Sequence, residues 1–170
     1  MGIHRLNHAV LHVRDVEVSK SFYIGQLGFD VVSEFPGAAF LQAPGSDNDH
    51  DLGLFQVGAE AGASRSGRGT VGLYHLAWEV ETLGELAELS DSLAAAGALV
   101  GASDHGTTKS LYAKDPDGLE FEVVWLIPAA LLTEDDVAGK ASIGPLDLAA
   151  EVERFGRHER SGIGVSRAAS

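Results

Sequence analysis

Apolar and polar residues alternate in three stretches of the chain, Leu6–Val13, Leu73–Val80 and Leu119–Trp125, and a period of two predicts half-buried strands. After the first come Arg14-Asp15 and then Val18, Phe22, Tyr23 and Leu27 at helical spacings. That pattern predicts a helix over Val16–Leu27, closed by Gly28. Short strands are expected near Phe29–Phe35, Ala38–Ala43 and Asp51–Val57, with Pro36-Gly37 and Pro44-Gly45 as turns. The order then recurs. Leu73–Val80 leads into a helix over Thr82–Ala96 with Leu83, Leu86, Leu89 and Leu93 as its stripe and Gly97 at its end. Strands follow near Leu99–Ala102, Lys109–Lys114 and Leu119–Leu126, the last entered through the turn Asp115-Pro116-Asp117-Gly118.

Each half therefore reads βαβββ, which predicts an α+β protein with modules at residues 3–57 and 73–126. The Gly- and Ser-rich segment 58–72 reads as the linker. Neither module buries a full sheet face alone, so two curved mixed sheets are expected to pack around a shared cavity. Residues 127–170 lie outside the repeat. A short helix is expected at Leu146–Phe155, and the polar, Gly-rich Gly156–Ser170 should fray.

Composition narrows the function. The 170 residues are 45% apolar and 22% charged, as in ordinary globular proteins, and suffice for a sizeable core. A net charge of −13 repels phosphate backbones and argues against nucleic acid as a partner. No apolar run is long enough for a membrane span, and the N-terminus enters a strand directly, which predicts no signal peptide. The absence of cysteine excludes thiolate metal sites and disulfides, in keeping with a cytoplasmic location.

The chemistry lies in the three alternating stretches. Each of the first two carries a histidine, His8 and His75, and the third carries Glu122 within Phe121-Glu122-Val123-Val124-Trp125. A carboxylate in so apolar a run is costly to bury unless something pairs with it. Two neutral imidazoles and the carboxylate can share a divalent metal, and two His with one carboxylate is the ligand set of non-haem Fe(II) oxygenases. Glu120 has the same strand parity as Glu122 and competes with it. His12 has the parity of His8 but lies about 13 Å further along the strand.

Paired βαβββ modules with a His on the first strand of each and a Glu on the last strand of the second resemble the vicinal oxygen chelate superfamily. That group includes glyoxalase I, extradiol dioxygenases, epimerases, thiol transferases and antibiotic-binding proteins. The segment from His105 through Leu111, Tyr112, Asp115-Pro116-Asp117-Gly118 and Glu122 resembles the ring-cleavage dioxygenase signature, departing from it at Ser103. Asp49-His50-Asp51-Leu52-Gly53-Leu54-Phe55 resembles the stretch that carries the family's acid–base histidine.

The resemblance implies an extradiol dioxygenase of aromatic catabolism that cleaves a catechol-type ring with O₂. It implies Fe(II), or Mn(II), on His8, His75 and Glu122. His50 would carry the substrate proton, Tyr112 would hydrogen-bond a bound oxygen, and His105 would contact substrate. A homodimer is also implied, with the apolar stretch Leu126–Leu132 as a thin sequence signal. Two other readings stand beside this one on the same scaffold: a metal-dependent glyoxalase, isomerase or epimerase, and a non-catalytic protein that sequesters a small molecule. The isomerase needs a second carboxylate from the first module's last strand. Here that strand reads Leu52-Gly53-Leu54-Phe55-Gln56-Val57, with Asp51 only at its start.

Overall fold

Asp15 and Gly28 bracket the first helix. The Asp15 carboxylate accepts the N–H of Glu17 (2.9 Å) and of Val18 (3.2 Å), and Gly28 adopts a left-handed φ of 72°, so α1 runs Val16–Leu27. Thr82 and Glu85 form a reciprocal capping box that starts α2, Leu83–Ala95. The computed structural model describes residues 2–66, 69–140 and 142–162.

The chain divides into two compact units. The first runs through Arg65 and includes Asp115–Leu119, and the second comprises Ser66–Lys114 and the chain from Glu120 onward. In the first unit, strands β1 (Ala9–Val13), β2 (Asp30–Phe35), β3 (Ala38–Gln42) and β4 (Leu52–Gln56) form a sheet in the order β1-β4-β3-β2. In the second, β5 (Leu76–Glu79), β6 (Leu99–Asp104), β7 (Thr108–Lys114), β8 (Glu120–Leu126) and β9 (Gly144–Pro145) form a sheet in the order β5-β8-β7-β6-β9. In each, the outer first strand pairs parallel with the last strand of its module and the other pairings are antiparallel. The architecture is thus α+β with two mixed sheets.

Alternation separates two faces in β8. Phe121, Val123 and Trp125 are buried, whereas Glu120, Glu122, Val124 and Leu126 are half-buried. The buried set joins Leu83, Leu86 and Leu93 of α2 and Leu111 of β7 in the second unit's core. In the first unit the core is Val13, Val16, Tyr23, Phe29, Leu41, Leu52 and Leu54.

Both leading strands are shorter than the alternation predicts. β1 begins at Ala9 and β5 at Leu76, so His8 and His75 each sit one residue before their strand. The reason is pairing. Both are edge strands, and the ladders with their neighbours begin at Ala9↔Leu52 and Leu76↔Phe121, so strand pairing starts only there.

The C-terminal region also differs. The later helix starts at Leu148, where Asp147 caps it, and three elements among the described residues were not anticipated: a 3-10 turn at Ala129–Leu131, the short helix α3 (Glu134–Gly139) and β9. The helix Leu148–Phe155 is therefore α4. The fraying expected from Gly156 does not hold for Arg157–Gly162. Gly84 N donates to Arg157 O (2.7 Å), Leu83 N to Glu159 O (3.1 Å) and Gly162 N to Leu126 O (2.8 Å). Trp125 Nε1 also donates to Glu159 O, at 3.2 Å. The first amides of α2, which no helical carbonyl can satisfy, find their acceptors there. Residues 163–170 of the expected tail lie outside the described residues, as do Gly67 and Arg68 of the linker. No helix among the described residues is long and apolar enough to cross a membrane.

Candidate active site

Strand register assembles one half of the site. Glu122 of β8 stands opposite Tyr112 of β7 on one side and Ala77 of β5 on the other. His75 lies two residues before Ala77, and its Nε2 is 3.1 Å from Glu122 Oε2. At that separation the two atoms contact each other directly, and both would be available to a cation. An imidazole nitrogen and a carboxylate oxygen also suit a divalent cation of the Fe(II) or Mn(II) kind. Among the described residues, the buried His75 Nδ1 has no hydrogen-bond partner.

Tyr112 links this pair to a second histidine. His105 sits in the turn between β6 and β7, and its Nε2 lies 2.8 Å from Tyr112 Oη. Burial first, and then the neighbouring Glu122 charge, raise the Tyr112 phenol above its ordinary value. At neutral pH it therefore keeps its proton and can donate a hydrogen bond.

The first unit repeats the register with different chemistry. His8 lies two residues before Val10, Val10 stands opposite Gly53 of β4, and Gly53 stands opposite Phe40 of β3. Gly53 and Phe40 thus occupy the positions that Glu122 and Tyr112 hold in the second unit. A Cβ on Gly53 would lie 3.4 Å from Val10 Cγ2 and 3.6 Å from the rings of Phe40 and Phe55, an apolar setting. The exposed His8 ring lies 4.5 Å from that of His50, and the His50 ring packs edge-on to Phe40 at 5.1 Å. His50 Nδ1 is 3.0 Å from Asp49 Oδ2, and His8 Nδ1 is 2.7 Å from Asn7 Oδ1.

Asp51 and Gln56, the polar groups at the two ends of β4, are engaged elsewhere. Asp51 accepts from Ala43 N (2.8 Å), Ser46 Oγ (2.8 Å) and Asn48 Nδ2 (2.7 Å). Burial would raise its pKa, but these hydrogen bonds outweigh it and hold the carboxyl below the ordinary value. Gln56 Oε1 accepts the N–H of Val16 at 3.1 Å, at the start of α1.

The structure therefore brings His75, Glu122, Tyr112 and His105 together in one unit, and His8 with His50 in the other. Among the described residues, no group of three or more His, Asp or Glu could hold a metal ion. The proposed triad is represented by the His75–Glu122 pair in one unit and by His8 in the other. The direct His105–Tyr112 bond was not anticipated from sequence. Its signal was the short return between Asp104 and Thr108, which brings the turn back over its own strand.

Two βαβββ units, each with a histidine just ahead of its first strand and one with an opposing glutamate, are the architecture of a known class. The chain belongs to the Glyoxalase/Bleomycin resistance protein/Dioxygenase superfamily, whose family model matches residues 5–123. Among curated relatives, biphenyl-2,3-diol 1,2-dioxygenase 3 of Rhodococcus globerulus is 36% identical over 115 residues, which are 67% of this chain and 59% of that protein. Catechol-2,3-dioxygenase of Bacillus subtilis is 30% identical over 118 residues, 69% of this chain and 40% of that protein. The chain thus spans about half the length of these relatives. Among solved structures, a glyoxylase/bleomycin resistance protein/dioxygenase domain from Frankia sp. EAN1pec superposes with a TM-score of 0.63 at 22% identity, over 75% of this chain and 96% of that one. That likeness supports the fold.

Proposed function

We propose that this protein is an Fe(II)-dependent extradiol dioxygenase that cleaves a catechol-type ring with O₂. The observation that carries the reading is Gly53 in the place where a second carboxylate would have to stand. An isomerase on this scaffold needs that base, and neither Asp51 nor Gln56 is free to supply it. The dioxygenase names of the relatives point the same way.

In this reading His8, His75 and Glu122 hold Fe(II), with Mn(II) as the other fitting ion. When bound, the metal would supply Lewis-acid chemistry at this site. His50 accepts the proton of a catechol hydroxyl and later returns it, a task suited to an imidazole near neutral pH. Tyr112 keeps its proton and donates a hydrogen bond to a substrate oxygen as negative charge develops there. His105 holds the Tyr112 hydroxyl in place through the 2.8 Å contact.

The test is Fe(II) loading without air, followed by O₂ uptake with a panel of catechols. Stoichiometric uptake with a yellow ring-fission product supports the proposal. Iron in place with no uptake across the panel turns the reading toward an isomerase or a binding protein.

A further inference from the structure

Among the described residues, the most deeply buried cation of the second unit has no part in the chemistry above. Lys109 lies on β7 with its side chain 1% exposed, on the helix-facing side with Leu111 and Ala113. An ammonium withdrawn from water needs paired charges. Its Nζ lies 2.7 Å from Asp104 Oδ1, at the end of β6, and 3.5 Å from Glu151 Oε2 on α4. Asp104 Oδ1 also accepts the N–H of Gly106 at 2.7 Å. One carboxylate oxygen therefore ties Lys109 to the backbone of the turn that carries His105.

A second contact grips the same turn. Gly106 has φ +74°, and a Cβ there would overlap the Asp136 carbonyl oxygen and lie 2.6 Å from the Gly139 carbonyl carbon. α3 thus lies directly on the turn. Asp136 is in turn fixed by Arg154 of α4, through contacts of 2.8 and 2.6 Å, and Phe155 packs on Trp125 at 5.3 Å between ring centroids. α3 therefore rests on Gly106, while α4 reaches Lys109 through Glu151 and Asp136 through Arg154. Opposite them, His105 Nε2 reaches Tyr112 Oη.

We infer that Asp104, Lys109 and Glu151 form a positioning device through which the C-terminal helices hold His105 against Tyr112. Lys109 is a positioning residue, since its ammonium touches Asp104 and Glu151 and not the reacting groups. The inference rests on the proposed roles of His105 and Tyr112 for its catalytic meaning, but its structural content is tested without turnover.

The variants are Lys109→Met, which keeps the apolar stem, and the gentler Glu151→Gln, with folding checked by circular dichroism. In the metal-free full chain, long-range proton–nitrogen correlation reads the His105 ring, with His105→Gln identifying its signals. Tyr112→Phe supplies the reference for a broken contact. Both charge variants should move the His105 signals toward that reference. If the wild type cleaves catechol, they should also lower kcat about ten- to a hundredfold at unchanged iron content, with KM within about twofold. Folded variants with His105 signals at wild-type positions overturn the inference. If Lys109→Met does not fold, Glu151→Gln decides alone. An inactive wild type with shifted His105 signals in the variants sinks the dioxygenase reading and leaves the positioning device standing.

Discussion

Gly53 and Glu122 occupy the same register position in the two halves of the chain, each opposite the residue two beyond the module's leading histidine. One half supplies a carboxylate at that point and the other an opening among Val10, Phe40 and Phe55. Gly53→Ala should be tolerated, since its new carbon meets only ordinary contacts. Gly53→Glu places a charge among apolar groups and should lower the thermal midpoint by several degrees. Differential scanning calorimetry of both variants checks this, and equal midpoints would remove the case for an apolar setting.

Metal content is the most direct probe of the triad. The purified protein should bind about one divalent ion per chain, and His8→Ala, His75→Ala and Glu122→Ala should each nearly abolish binding. Glu122→Gln should retain the fold and weaken the metal. Elemental analysis after dialysis gives the answer. Full occupancy in His8→Ala would show that the first unit contributes no ligand.

His50→Phe and Tyr112→Phe should leave iron content near wild type and act on turnover. Removing an acid–base group costs roughly 10²–10⁴-fold. Removing one hydrogen bond to a developing oxyanion costs on the order of 10²–10³-fold. Single-turnover kinetics on iron-loaded variants separates the two, and a wild-type rate in His50→Phe would transfer the proton-carrier role to His105.

Acid should weaken the clamp between α3 and α4. Arg154, gripping Asp136 with two hydrogen bonds, holds that carboxyl far below its ordinary value, and burial only partly opposes it. A depressed folded-state pKa gives stability that is present above the unfolded value, about 4, and is lost as pH falls below it. Asp136→Asn should therefore be less stable than wild type at pH 7, with the gap closing on acidification. Asp115 has the opposite sign, because burial raises its carboxyl, but it is common to both proteins and cancels. Urea unfolding across a pH series measures the gap. A gap unchanged at pH 3 would refute the ion-pair origin.

Assembly in solution is open to a hydrodynamic test. The stretch Leu126–Leu132, read from sequence as a contact between subunits, is partly used within the second unit. Ile127 is fully buried there, and Gly162 abuts Pro128. The first unit's edge strand β2 leaves Val31, Val32 and Phe35 40–54% exposed, which offers an apolar edge for a second copy. The expectation is a homodimer. Sedimentation at micromolar concentration giving only a 17.8 kDa species rules it out.

Much of this was legible in the sequence because alternation and capping are local. α1 matches its expected span because Asp15 and Gly28 mark its ends. The position of Glu122 followed from the parity of Phe121, Val123 and Trp125. What escaped depends on residues distant in sequence. The late start of β1 depends on where β4 begins to pair. The bonds of Arg157 and Glu159 depend on vacant amides at the start of α2, more than seventy positions earlier. The partners of Lys109 lie on two other elements, and a lysine in a strand gives no sign of whether it faces water or a buried glutamate.

The capping of α2 by Arg157 and Glu159 bears on how the chain is made. Synthesis delivers the helix long before its acceptors, so its first amides wait, facing water, until the closing residues leave the ribosome. The bonds from residues 157–162 to Glu81, Leu83, Gly84 and Leu126 can close only after those residues are available. A nascent chain stalled shortly after α4 would already hold His75 and Glu122, yet it would leave the Trp125 indole and the head of α2 unsatisfied.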